Sequence, residues 1–400
     1  MIRIGVIREG KVPPDERVPL TPNQCVSIVQ EHPDISLKVQ ESAVRRIQDE
    51  EYVAAGVDMA ATVEDQEVLV GVKEVKIDDL IPNKTYLFFS HTIKLQEYNK
   101  PLLQAVLNNN VRLIDWECLT DASGRRLIGF GRYAGIVGTY NAFRTYGLKH
   151  KTFDLKKATD CVDRKELQSE LMKIKIPPLR ILLTGRGKVA KGAMEILDEL
   201  GIEKVGKRDF ISNDGERPVY CQITFKDYFK HKSESEFQTS DFYEHPENYE
   251  SQFMKYGAHA DLLITGHYWD SNAPFLFTRD DVRRPDFNIE LVADISCDID
   301  GPVASTIRPS TIADPHYGYD PKTEKEVAFD GAGAVTVMAV DNLPCELPRD
   351  ASFDFGEMFI HHVLPSFLNG DKHGILDRAT IAQDGKITDH YSYLREWVNS

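Results

Sequence analysis

The sequence predicts an α/β protein with two units, each organised around a mostly parallel sheet. Apolar runs of strand length alternate with helical segments in both halves of the chain, which is typical of parallel sheets. A length of 400 residues suits two domains at roughly 150 residues each. A strand-like run at 179–184 leads into a glycine-rich turn and marks the start of a second α/β unit.

The first unit opens with a strand–helix alternation that favours a parallel sheet. Thr21 is suited to cap the first helix, with Pro22 at the first helical position. The predicted strands are residues 2–7, 37–40, 68–72, 86–89 and 112–116. The predicted helices begin after Thr21, cover 44–55 and pass through 102–107.

Groups that can move protons follow three of these strands. Lys73 and Glu74 come directly after 68–72, His91 follows 86–89, and Glu117 lies at the end of 112–116. Side chains at the ends of parallel strands project into the crevice where α/β sites form. Partial burial lowers the pKa of a lysine, and histidine titrates near neutral pH. Lys73 and His91 are therefore a candidate acid–base pair for chemistry at an amine carbon, the alternative being a solvated surface pair and a turn residue.

A dinucleotide-binding fingerprint opens the second unit. Gly185 and Gly187 follow the apolar strand, Lys188 and Val189 begin the next helix, and Ala190 stands where a third glycine is usual. The glycines permit a tight turn and let backbone N–H groups approach a pyrophosphate at the helix N-terminus. The pattern predicts NAD or NADP as the cofactor; the alternative is a tight strand-to-helix turn without a ligand.

The fingerprint also predicts an acidic residue about 20 residues further on, for the adenosine ribose. The chain has Gly206, Lys207 and Arg208 there, and Asp209 comes only after them. The sequence leaves the choice between NAD and NADP open, since Lys207 or Arg208 suits a 2′-phosphate.

Polar groups also end three later apolar runs. Because the carboxyl ends of parallel strands converge, these groups are candidate neighbours of the nicotinamide and its ribose. They are His267 and Tyr268, Ser296 and Asp298, and Asp341 and Asn342. Taken singly, each carboxylate suits a helix cap or a turn equally well.

The remaining segments carry no predicted chemistry. Residues 134–148 have the pattern of a long helix with small residues, and 149–178 that of a charged connector. Residues 229–260 are polar and acidic, so we expect a solvated surface insertion with some helix. Residues 355–368 predict a last apolar helix that packs on the first unit. Its adjacent His361 and His362 face different sides, and no metal-site spacing occurs, so no metal is expected.

Composition narrows the class of function. The net charge of −15 argues against a nucleic-acid-binding surface but not against small anionic substrates. Six cysteines without a C-x-x-C spacing, and an N-terminus without a cleavable apolar region, indicate reduced thiols in a cytoplasmic protein. No apolar run approaches the roughly 20 residues of a membrane span. We expect a small-molecule partner and no membrane; an oligomer is compatible with the sequence.

Several stretches resemble the alanine dehydrogenase and transhydrogenase N-terminal superfamily. They are IGVIRE with ERVPLTP, VGVKE, the glycine loop, and APFLFT with VADIS. Four further pieces resemble the lysine-forming saccharopine dehydrogenases and the reductase half of the bifunctional lysine-degrading enzyme: FFSHTIKLQ, GRRLIGFGRYAG, VADISCDIDGP and VDNLPCELPRDAS. The resemblance covers nearly the whole chain and is interrupted by 229–260.

The resemblance implies two Rossmann-like domains with mostly parallel sheets and an active site in the cleft between them. The substrate and catalytic domain would be 1–134 with 347–400, and the dinucleotide-binding domain 135–346. The implied activity is the reversible oxidation of saccharopine to lysine and 2-oxoglutarate with NAD or NADP.

Residue roles follow from the same resemblance. Lys73 matches the base on the secondary amine, and His91 matches the acid–base group of imine hydrolysis. Glu74 and Glu117 match the carboxylates that tune this pair. The positions that line the substrate pocket are Arg17, Lys94, Gln96, Arg126 and Phe130, and those near the cofactor are Arg125, Tyr268, Ser296 and Asp341.

The cationic residues favour a substrate with several carboxylates. Saccharopine has three carboxylates and alanine one, so Arg17, Lys94 and Arg126 point to the larger substrate. One alternative is alanine dehydrogenase or another opine or amino-acid dehydrogenase. A second is a nucleotide-binding regulator without turnover, although a decayed site would be expected to lose Lys73, Glu74 and His91 first.

Overall fold

The chain forms two compact units. The computed structural model describes residues 1–212, 215–233 and 235–400. Met1–Phe130 and Pro348–Ser400 together form unit 1, and Gly131–Leu347 forms unit 2.

The strands in chain order are β1 (Ile2–Val6), β2 (Ile35–Gln40), β3 (Asp58–Ala60), β4 (Val68–Val70), β5 (Thr85–Phe88), β6 (Arg112–Asp115), β7 (Arg180–Thr184), β8 (Glu203–Lys204), β9 (Val219–Ile223), β10 (Phe229–His231), β11 (Tyr249–Ser251), β12 (Leu262–Thr265), β13 (Leu291–Asp294), β14 (Tyr317–Asp320), β15 (Lys325–Val327), β16 (Val335–Met338), β17 (Thr380–Gln383) and β18 (Lys386–Ile387).

The helices are α1 (Pro22–Glu31), α2 (Asp49–Ala55), α3 (Lys100–Asn108), α4 (Gly131–His150), α5 (Arg164–Leu171), α6 (Lys188–Glu199), α7 (Lys207–Ile211), α8 (Phe225–Tyr228), α9 (Thr239–Glu244), α10 (Met254–Gly257), α11 (Arg279–Val282), α12 (Pro348–Met358), α13 (Leu364–Leu368), α14 (Ile375–Ala379) and α15 (Leu394–Asn399). Among the described residues, none of these helices combines the length and hydropathy that a membrane span requires.

Unit 1 is built on an eight-stranded sheet with the order β18-β17-β6-β5-β4-β1-β2-β3. Neighbours from β6 to β3 pair in parallel, whereas β17 and β18 are antiparallel. One face packs a core around Val6, Val70 and Trp116, and the other packs a core around Leu69 and Phe88. The predicted mostly parallel sheet is confirmed, and the carboxyl ends of β1, β4, β5 and β6 lie along one edge.

The described residues of unit 2 also form an eight-stranded sheet, in the order β15-β14-β16-β13-β12-β7-β9-β8. The strands from β16 to β8 are parallel, and β14 and β15 are antiparallel. The neighbours of β7 are β12 on one side and β9 on the other. The two-residue strand β8, which directly follows α6, lies beyond β9. This order determines which residues lie beside the glycine loop.

The first helix begins where its cap predicts. The Thr21 N–H donates to Gln24 Oε1 at 3.0 Å, and Pro22 occupies the first helical position. The second helix is shorter than predicted, because it begins at Asp49 and not at residue 44. The Gln48 N–H donates to Glu51 Oε1 at 3.0 Å, and this cap sets the start of α2.

The prediction for residues 229–260 as a solvated insertion was wrong. This stretch contains the β10–β11 hairpin and helices α9 and α10. Its aromatic residues Phe229, Phe242, Tyr249 and Phe253 are buried in the core of unit 2. The charged residues between them conceal this pattern in the sequence, since burial of a few large aromatic side chains suffices to anchor the segment.

The helix predicted at 355–368 packs on unit 1, as expected, since Phe355 and Phe359 belong to the core of that unit. It is not a continuous helix, however, because a π-helical turn at Phe359–Val363 separates α12 from α13. Pro365 lacks the N–H that an uninterrupted α-helix would use, and a wide turn accommodates it.

Glycines bring α4 and α6 of unit 2 into backbone contact. A Cβ atom at Gly135 would lie 1.9 Å from the Val189 carbonyl oxygen, and one at Gly192 would lie 1.9 Å from that of Arg132. The small residues predicted in 134–148 therefore serve to pack α4 against the first turns of α6.

Candidate functional site

The candidate site of unit 1 lies at the carboxyl edge of its sheet. The segments that leave β1, β4, β5 and β6 carry Glu9, Lys73, His91 and Glu117. These segments lie side by side because the four strands are neighbours in a parallel sheet. The sequence predicts three of these residues, and the structure adds Glu9.

A cluster around Glu117 holds His91. The Nδ1 atom of His91 lies 3.1 Å from Glu117 Oε2 and 3.2 Å from Lys94 Nζ. Glu117 Oε1 lies 3.4 Å from Lys94 Nζ and 3.0 Å from Arg126 Nη2. The structure thus brings four predicted residues together: His91, Glu117, Lys94 and Arg126.

Glu117 is ionised at neutral pH. Burial acts to raise the pKa of its carboxyl group, but the hydrogen bond with His91 and the charges of Lys94 and Arg126 hold this pKa at about 2. The permanent charge orients the imidazole through Nδ1. This leaves Nε2 of His91 as the nitrogen that can exchange a proton with water.

Asp115 fixes the turn that presents His91. Its buried carboxylate accepts hydrogen bonds from the Ser90 N–H and hydroxyl, at 2.8 and 2.5 Å, and from the Glu117 N–H at 2.7 Å. His91 has a φ of 55°, a strained backbone conformation for a residue other than glycine. Asp115, which sequence reasoning missed, therefore holds both strand ends that carry the cluster.

Arg17 and Phe130 are close together, as the substrate-pocket prediction requires. The Cζ atom of Arg17 lies 4.1 Å from the centroid of the Phe130 ring, which stacks on Phe355 with centroids 4.5 Å apart. Arg17 is only 2% exposed, and its Nε and Nη2 donate to Asp15 at 2.9 and 2.6 Å. The structure adds a carboxylate partner for Arg17 that the sequence did not predict.

Lys73 lies among carboxylates. Burial acts to raise the pKa of Glu74, but Lys11, whose Nζ lies 2.7 Å from Glu74 Oε1, and Lys73 lower it below the usual value. Lys73 also contributes to the low pKa of Asp15. The predicted Lys73–Glu74 pair is therefore part of a larger charged group that includes Asp15 and Lys11.

Glu9 contacts the backbone that carries Lys73. Its Oε1 accepts the Val72 N–H at 2.6 Å, and its Oε2 accepts the Lys73 N–H at 2.9 Å. Burial raises the pKa of Glu9 to about 8, against the opposing effect of these two hydrogen bonds. The signal for Glu9 is present in the sequence, since it follows β1 as Lys73 follows β4.

Two predicted residues of unit 1 stand apart from this arrangement. Gln96 is exposed, and its Oε1 accepts the Tyr98 hydroxyl at 2.9 Å. Arg125 is exposed and pairs with Asp121 at 3.0 Å. Among the described residues, neither makes a hydrogen bond to His91 or Glu117.

The buried Asp15–Arg17 pair predicts acid sensitivity of unit 1. Burial acts to raise the pKa of Asp15, but the charge and hydrogen bonds of Arg17 lower it from 3.8 to about 2. A carboxyl pKa that is lower in the folded state contributes stability above the unfolded value and loses it as the pH falls. We expect this group to account for about 2 kcal/mol of the unfolding free energy lost between pH 4 and pH 2.

Replacing Asp15 by asparagine tests this expectation. Denaturant unfolding of Asp15→Asn should show a flatter pH dependence below pH 4 and a loss of about 3–5 kcal/mol at pH 7, because Arg17 is left buried without its carboxylate. Asp65→Asn is the control for the loss at pH 7, since Asp65 pairs with Lys38 at the surface, where water can solvate the lysine that is left. Equal losses in both variants would contradict a special role for the buried pair.

In unit 2 the glycine loop after β7 has the features of a phosphate cradle. Gly185 has a φ of +89°, and a Cβ atom there would lie 2.2 Å from the Gly266 carbonyl oxygen. Nothing lies within 4 Å of a Cβ atom at Gly187, the residue that caps α6. Lys188 begins α6, and the first-turn N–H groups at Val189 and Ala190 have no acceptor within the helix. These residues fit the pyrophosphate of a dinucleotide.

His267 lies at the same edge, after β12. Its Nδ1 atom is 2.6 Å from the Thr184 hydroxyl, and burial lowers its pKa to about 4. Its Nε2 atom is buried without a hydrogen-bond partner in the described part of the chain. The predicted neighbour Tyr268 is 89% exposed.

A buried carboxylate organises the end of β13. Asp294 Oδ1 accepts the hydroxyls of Thr265 and Ser296, each at 2.7 Å, and Oδ2 accepts the Thr306 hydroxyl at 2.7 Å. Burial, with Asp294 nearby, raises the pKa of Asp298 to about 6. Sequence reasoning named Ser296 and Asp298 but missed Asp294, although it ends the same apolar run.

The last predicted pair follows β16. Asp341 is exposed, and Asn342 has a φ of 64° and precedes a 3-10 turn, Leu343–Glu346. The carboxyl ends of β7, β12, β13 and β16 are adjacent in the parallel sheet, so the predicted cofactor residues of unit 2 share one edge.

An acidic residue follows the strand that lies beside the glycine-loop strand. Because β9 is the neighbour of β7, the residues beside the glycine loop are those that follow Ile223. Asp227 lies there, accepts the Thr224 N–H at 2.8 Å, and pairs with Lys207. Spacing along the sequence points to Lys207, whereas the strand order makes Asp227 the candidate acidic residue at this edge.

Within residues 1–212, 215–233 and 235–400, no three or more His, Cys, Asp or Glu side chains are grouped as a metal site would require.

Residues 5–137 match the family model of the alanine dehydrogenase/PNT N-terminal domain. This part of the chain is similar to the N-terminal domain of alanine dehydrogenases and PNT. The matched segment carries Lys73, His91 and Glu117, and the resemblance inferred from the sequence motifs is confirmed.

Curated relatives belong to the saccharopine branch. The chain is 30% identical over 433 residues to the mitochondrial alpha-aminoadipic semialdehyde synthase of Mus musculus, covering 96% of this chain and 46% of the relative. It therefore spans less than half the length of that protein. It is 23% identical over 369 residues to the NAD(+), L-lysine-forming saccharopine dehydrogenase of Neurospora crassa, covering 88% of this chain and 87% of the relative. Both relatives are enzymes, and the family is one of oxidoreductases.

A solved L-alanine dehydrogenase shares the fold. It matches 99% of this chain and 100% of its own with a TM-score of 0.64 and 15% sequence identity. The prediction of an α/β fold with two mostly parallel sheets is confirmed.

Proposed function

We propose that the protein is a nicotinamide-dependent oxidoreductase that interconverts saccharopine with lysine and 2-oxoglutarate. The observation that carries this proposal is the placement of Lys73 and the His91–Glu117 pair at adjacent strand ends. The named relatives of the saccharopine branch support the choice of substrate.

In this proposal unit 1 is the substrate and catalytic domain, and unit 2 binds NAD or NADP. Gly185, Gly187 and the first turn of α6 would hold the pyrophosphate. Asp298, Ser296 and His267 are proposed as neighbours of the nicotinamide end. When bound, the cofactor supplies the acceptor for the hydride that leaves the carbon bearing nitrogen.

Two groups of unit 1 move the protons. Lys73 Nζ takes the proton of the secondary amine as the carbon–nitrogen bond is oxidised. His91 then activates water through Nε2, since Glu117 and Lys94 lie within hydrogen-bond distance of its Nδ1. Glu117 keeps the imidazole in this orientation throughout, because its carboxyl group, with a pKa of about 2, stays ionised.

Cations of the same cluster are suited to the substrate carboxylates. Side chains of Lys94 and Arg126 are 44% and 50% exposed, so each can present donors to a ligand while contacting Glu117. We place Arg17 and Phe130 beside them, with Asp15 fixing the guanidinium plane. A tricarboxylate uses these charges more fully than a monocarboxylate.

Oxidation of reduced nicotinamide tests the proposal. Purified protein would be assayed with lysine plus 2-oxoglutarate and with pyruvate plus ammonia, each with NADH and with NADPH. We expect turnover with lysine plus 2-oxoglutarate and no turnover with pyruvate plus ammonia. Turnover with pyruvate and ammonia would assign the protein to alanine dehydrogenase chemistry. Cofactor binding without turnover in any mixture would overturn the substrate assignment.

The Lys207–Asp227 pair is expected to set the cofactor preference. The negative charge of Asp227 would repel a 2′-phosphate. The carboxylate also pairs with the ammonium group of Lys207, which would otherwise attract that phosphate. Asp227→Asn should raise the affinity for NADPH relative to NADH by about tenfold, which corresponds to 1.4 kcal/mol. Fluorescence titration with the two reduced cofactors measures this ratio.

Asp281→Asn is the matched control. Asp281 accepts the Thr278 N–H at 2.8 Å and caps α11, just as Asp227 accepts the Thr224 N–H at the start of α8. Its replacement should leave the NADPH-to-NADH ratio unchanged. An unchanged ratio in Asp227→Asn would remove Asp227 from the ribose site.

A further inference from the structure

We propose that Glu9 is a positioning residue that fixes the backbone from which Lys73 and Glu74 project. The inference rests on the proposed function of Lys73 as a base and adds a residue that sequence motifs did not identify. Its support is the geometry of the chain where β4 ends.

After β4 the main chain loses its strand partner on the β1 side, although it still pairs with the β5 segment on the other side. The Ile7 N–H still donates to the Val70 carbonyl at 3.0 Å, but β4 itself ends at Val70. The next two amides that need an acceptor on this side are those of Val72 and Lys73. Both donate to the Glu9 carboxylate, at 2.6 and 2.9 Å. One side chain thus continues the ladder between the β1 and β4 segments.

The neighbouring residue leaves space for this contact. A Cβ atom at Gly71 would lie 2.9 Å from the Ile7 side chain and 3.4 Å from Glu9 Oε1. The absence of a side chain at Gly71 therefore lets Ile7 pack directly against the chain after β4, with Glu9 Oε1 in ordinary contact beside it. The amide directly after β4 is held by the sheet, since the Gly71 N–H donates to the Leu87 carbonyl at 2.9 Å.

Glu9 is held within the charged group that surrounds Lys73. Asp15 and Arg17 both act electrostatically on its carboxyl group, and burial raises its pKa to about 8. A shift of the Glu9 carboxyl group would therefore move the backbone of Lys73 and Glu74 relative to the Asp15 carboxylate. Misplacement of a reacting group by about 1 Å is enough to cost roughly 100-fold in rate.

The chemistry of the two contacts calls for a carboxyl group, because each of its oxygens has a lone pair that can accept an N–H whether the group is ionised or protonated. Both partners are N–H donors, so both side-chain atoms must accept. Glutamine has the same shape, but its NH2 group would face one of the two backbone N–H groups, and this arrangement leaves two donors opposed. Glu9→Gln therefore removes one contact with little change in volume, and Glu9→Asp retains two acceptors on a shorter side chain.

Kinetics on the full chain test the proposal. With lysine, 2-oxoglutarate and reduced cofactor, Glu9→Gln should lower kcat by about 10- to 100-fold. The KM for the cofactor should stay within about twofold of the unaltered protein, since Glu9 belongs to unit 1. Glu9→Asp should recover part of the lost kcat, which a general packing defect would not.

Amide hydrogen exchange gives a readout that does not need activity. The Val72 and Lys73 amides should be protected in the unaltered protein and exchange at least about tenfold faster in Glu9→Gln, whereas the Gly71 amide stays protected. If the unaltered protein shows no turnover, the proposed function fails, but this measurement still tests whether Glu9 holds the Val72 and Lys73 amides. If Glu9→Gln does not fold, the same measurements on Glu9→Asp apply.

Asp371→Asn is the matched control for a lost carboxylate that accepts backbone amides. Asp371 accepts the N–H groups of Ile375, Leu376 and Asp377 in the C-terminal part of unit 1. It should lower stability without lowering kcat. The proposal is overturned if Glu9→Gln retains kcat within about twofold, if the two amides remain protected, or if Asp371→Asn loses kcat equally.

Discussion

Replacing Lys73 by methionine is expected to lower kcat with lysine and 2-oxoglutarate by about 10²- to 10⁴-fold, the usual contribution of a positioned general base. Methionine keeps the length and flexibility of the side chain but has no basic nitrogen. The affinity for NADH or NADPH should remain within about twofold, because the glycine loop belongs to unit 2. Steady-state rates, with cofactor titration by fluorescence, measure both quantities.

The control for this variant is Lys76→Met. Lys76 is exposed and lies three residues further along the same segment. It should retain full activity, so a loss confined to Lys73→Met cannot come from a change of net charge. If Lys73→Met loses less than about tenfold in kcat, Lys73 is not the base, and His91 would have to act on both the amine and the water.

Much of unit 1 could be predicted because its polar site residues follow the ends of neighbouring parallel strands. Apolar runs identify the parallel strands, and polar residues that follow them must share one edge of the sheet. Lys73, His91 and Glu117 could be predicted in this way. Their partners could not, because the Asp15–Arg17 pair lies in a loop whose path depends on tertiary contacts. Glu9 satisfies the same rule as Lys73 but belongs to a charged stretch that resembles a surface loop.

Unit 2 shows a different limit of sequence reasoning. The strand that follows α6 in the chain is normally taken as the neighbour of β7, and a count of about 20 residues then leads to Lys207. Because β9 lies between these two strands, the residues beside the glycine loop are those that follow β9, and Asp227 is the acidic residue that we propose there. Spacing cannot reveal this, since strand order depends on non-local pairing. The buried aromatic residues of 229–260 were missed for another reason, because charged residues stand between them in the sequence although they contact one another, as Phe229 and Phe242 do with ring centroids 5.3 Å apart.

Replacing Gly185 by alanine is expected to abolish tight cofactor binding. A φ of +89° is strained for alanine, and its Cβ atom would lie 2.2 Å from the Gly266 carbonyl oxygen and 2.8 Å from the His267 nitrogen. Both neighbours are backbone atoms after β12, so the strand end or the glycine loop must move. We expect the Kd for NADH and NADPH to rise by about 100-fold and the unfolding free energy to fall by about 1–3 kcal/mol.

Gly201→Ala separates backbone strain from the steric clash. Gly201 has a φ of +66° in the same unit, just after α6, but nothing lies within 4 Å of a Cβ atom there. Its replacement should cost about 1 kcal/mol in stability and leave the cofactor Kd unchanged. Equal effects on Kd in the two variants would mean that strain anywhere in unit 2 weakens binding. Weaker binding in Gly185→Ala alone would show that the close approach of the glycine loop to the end of β12 forms the cofactor site.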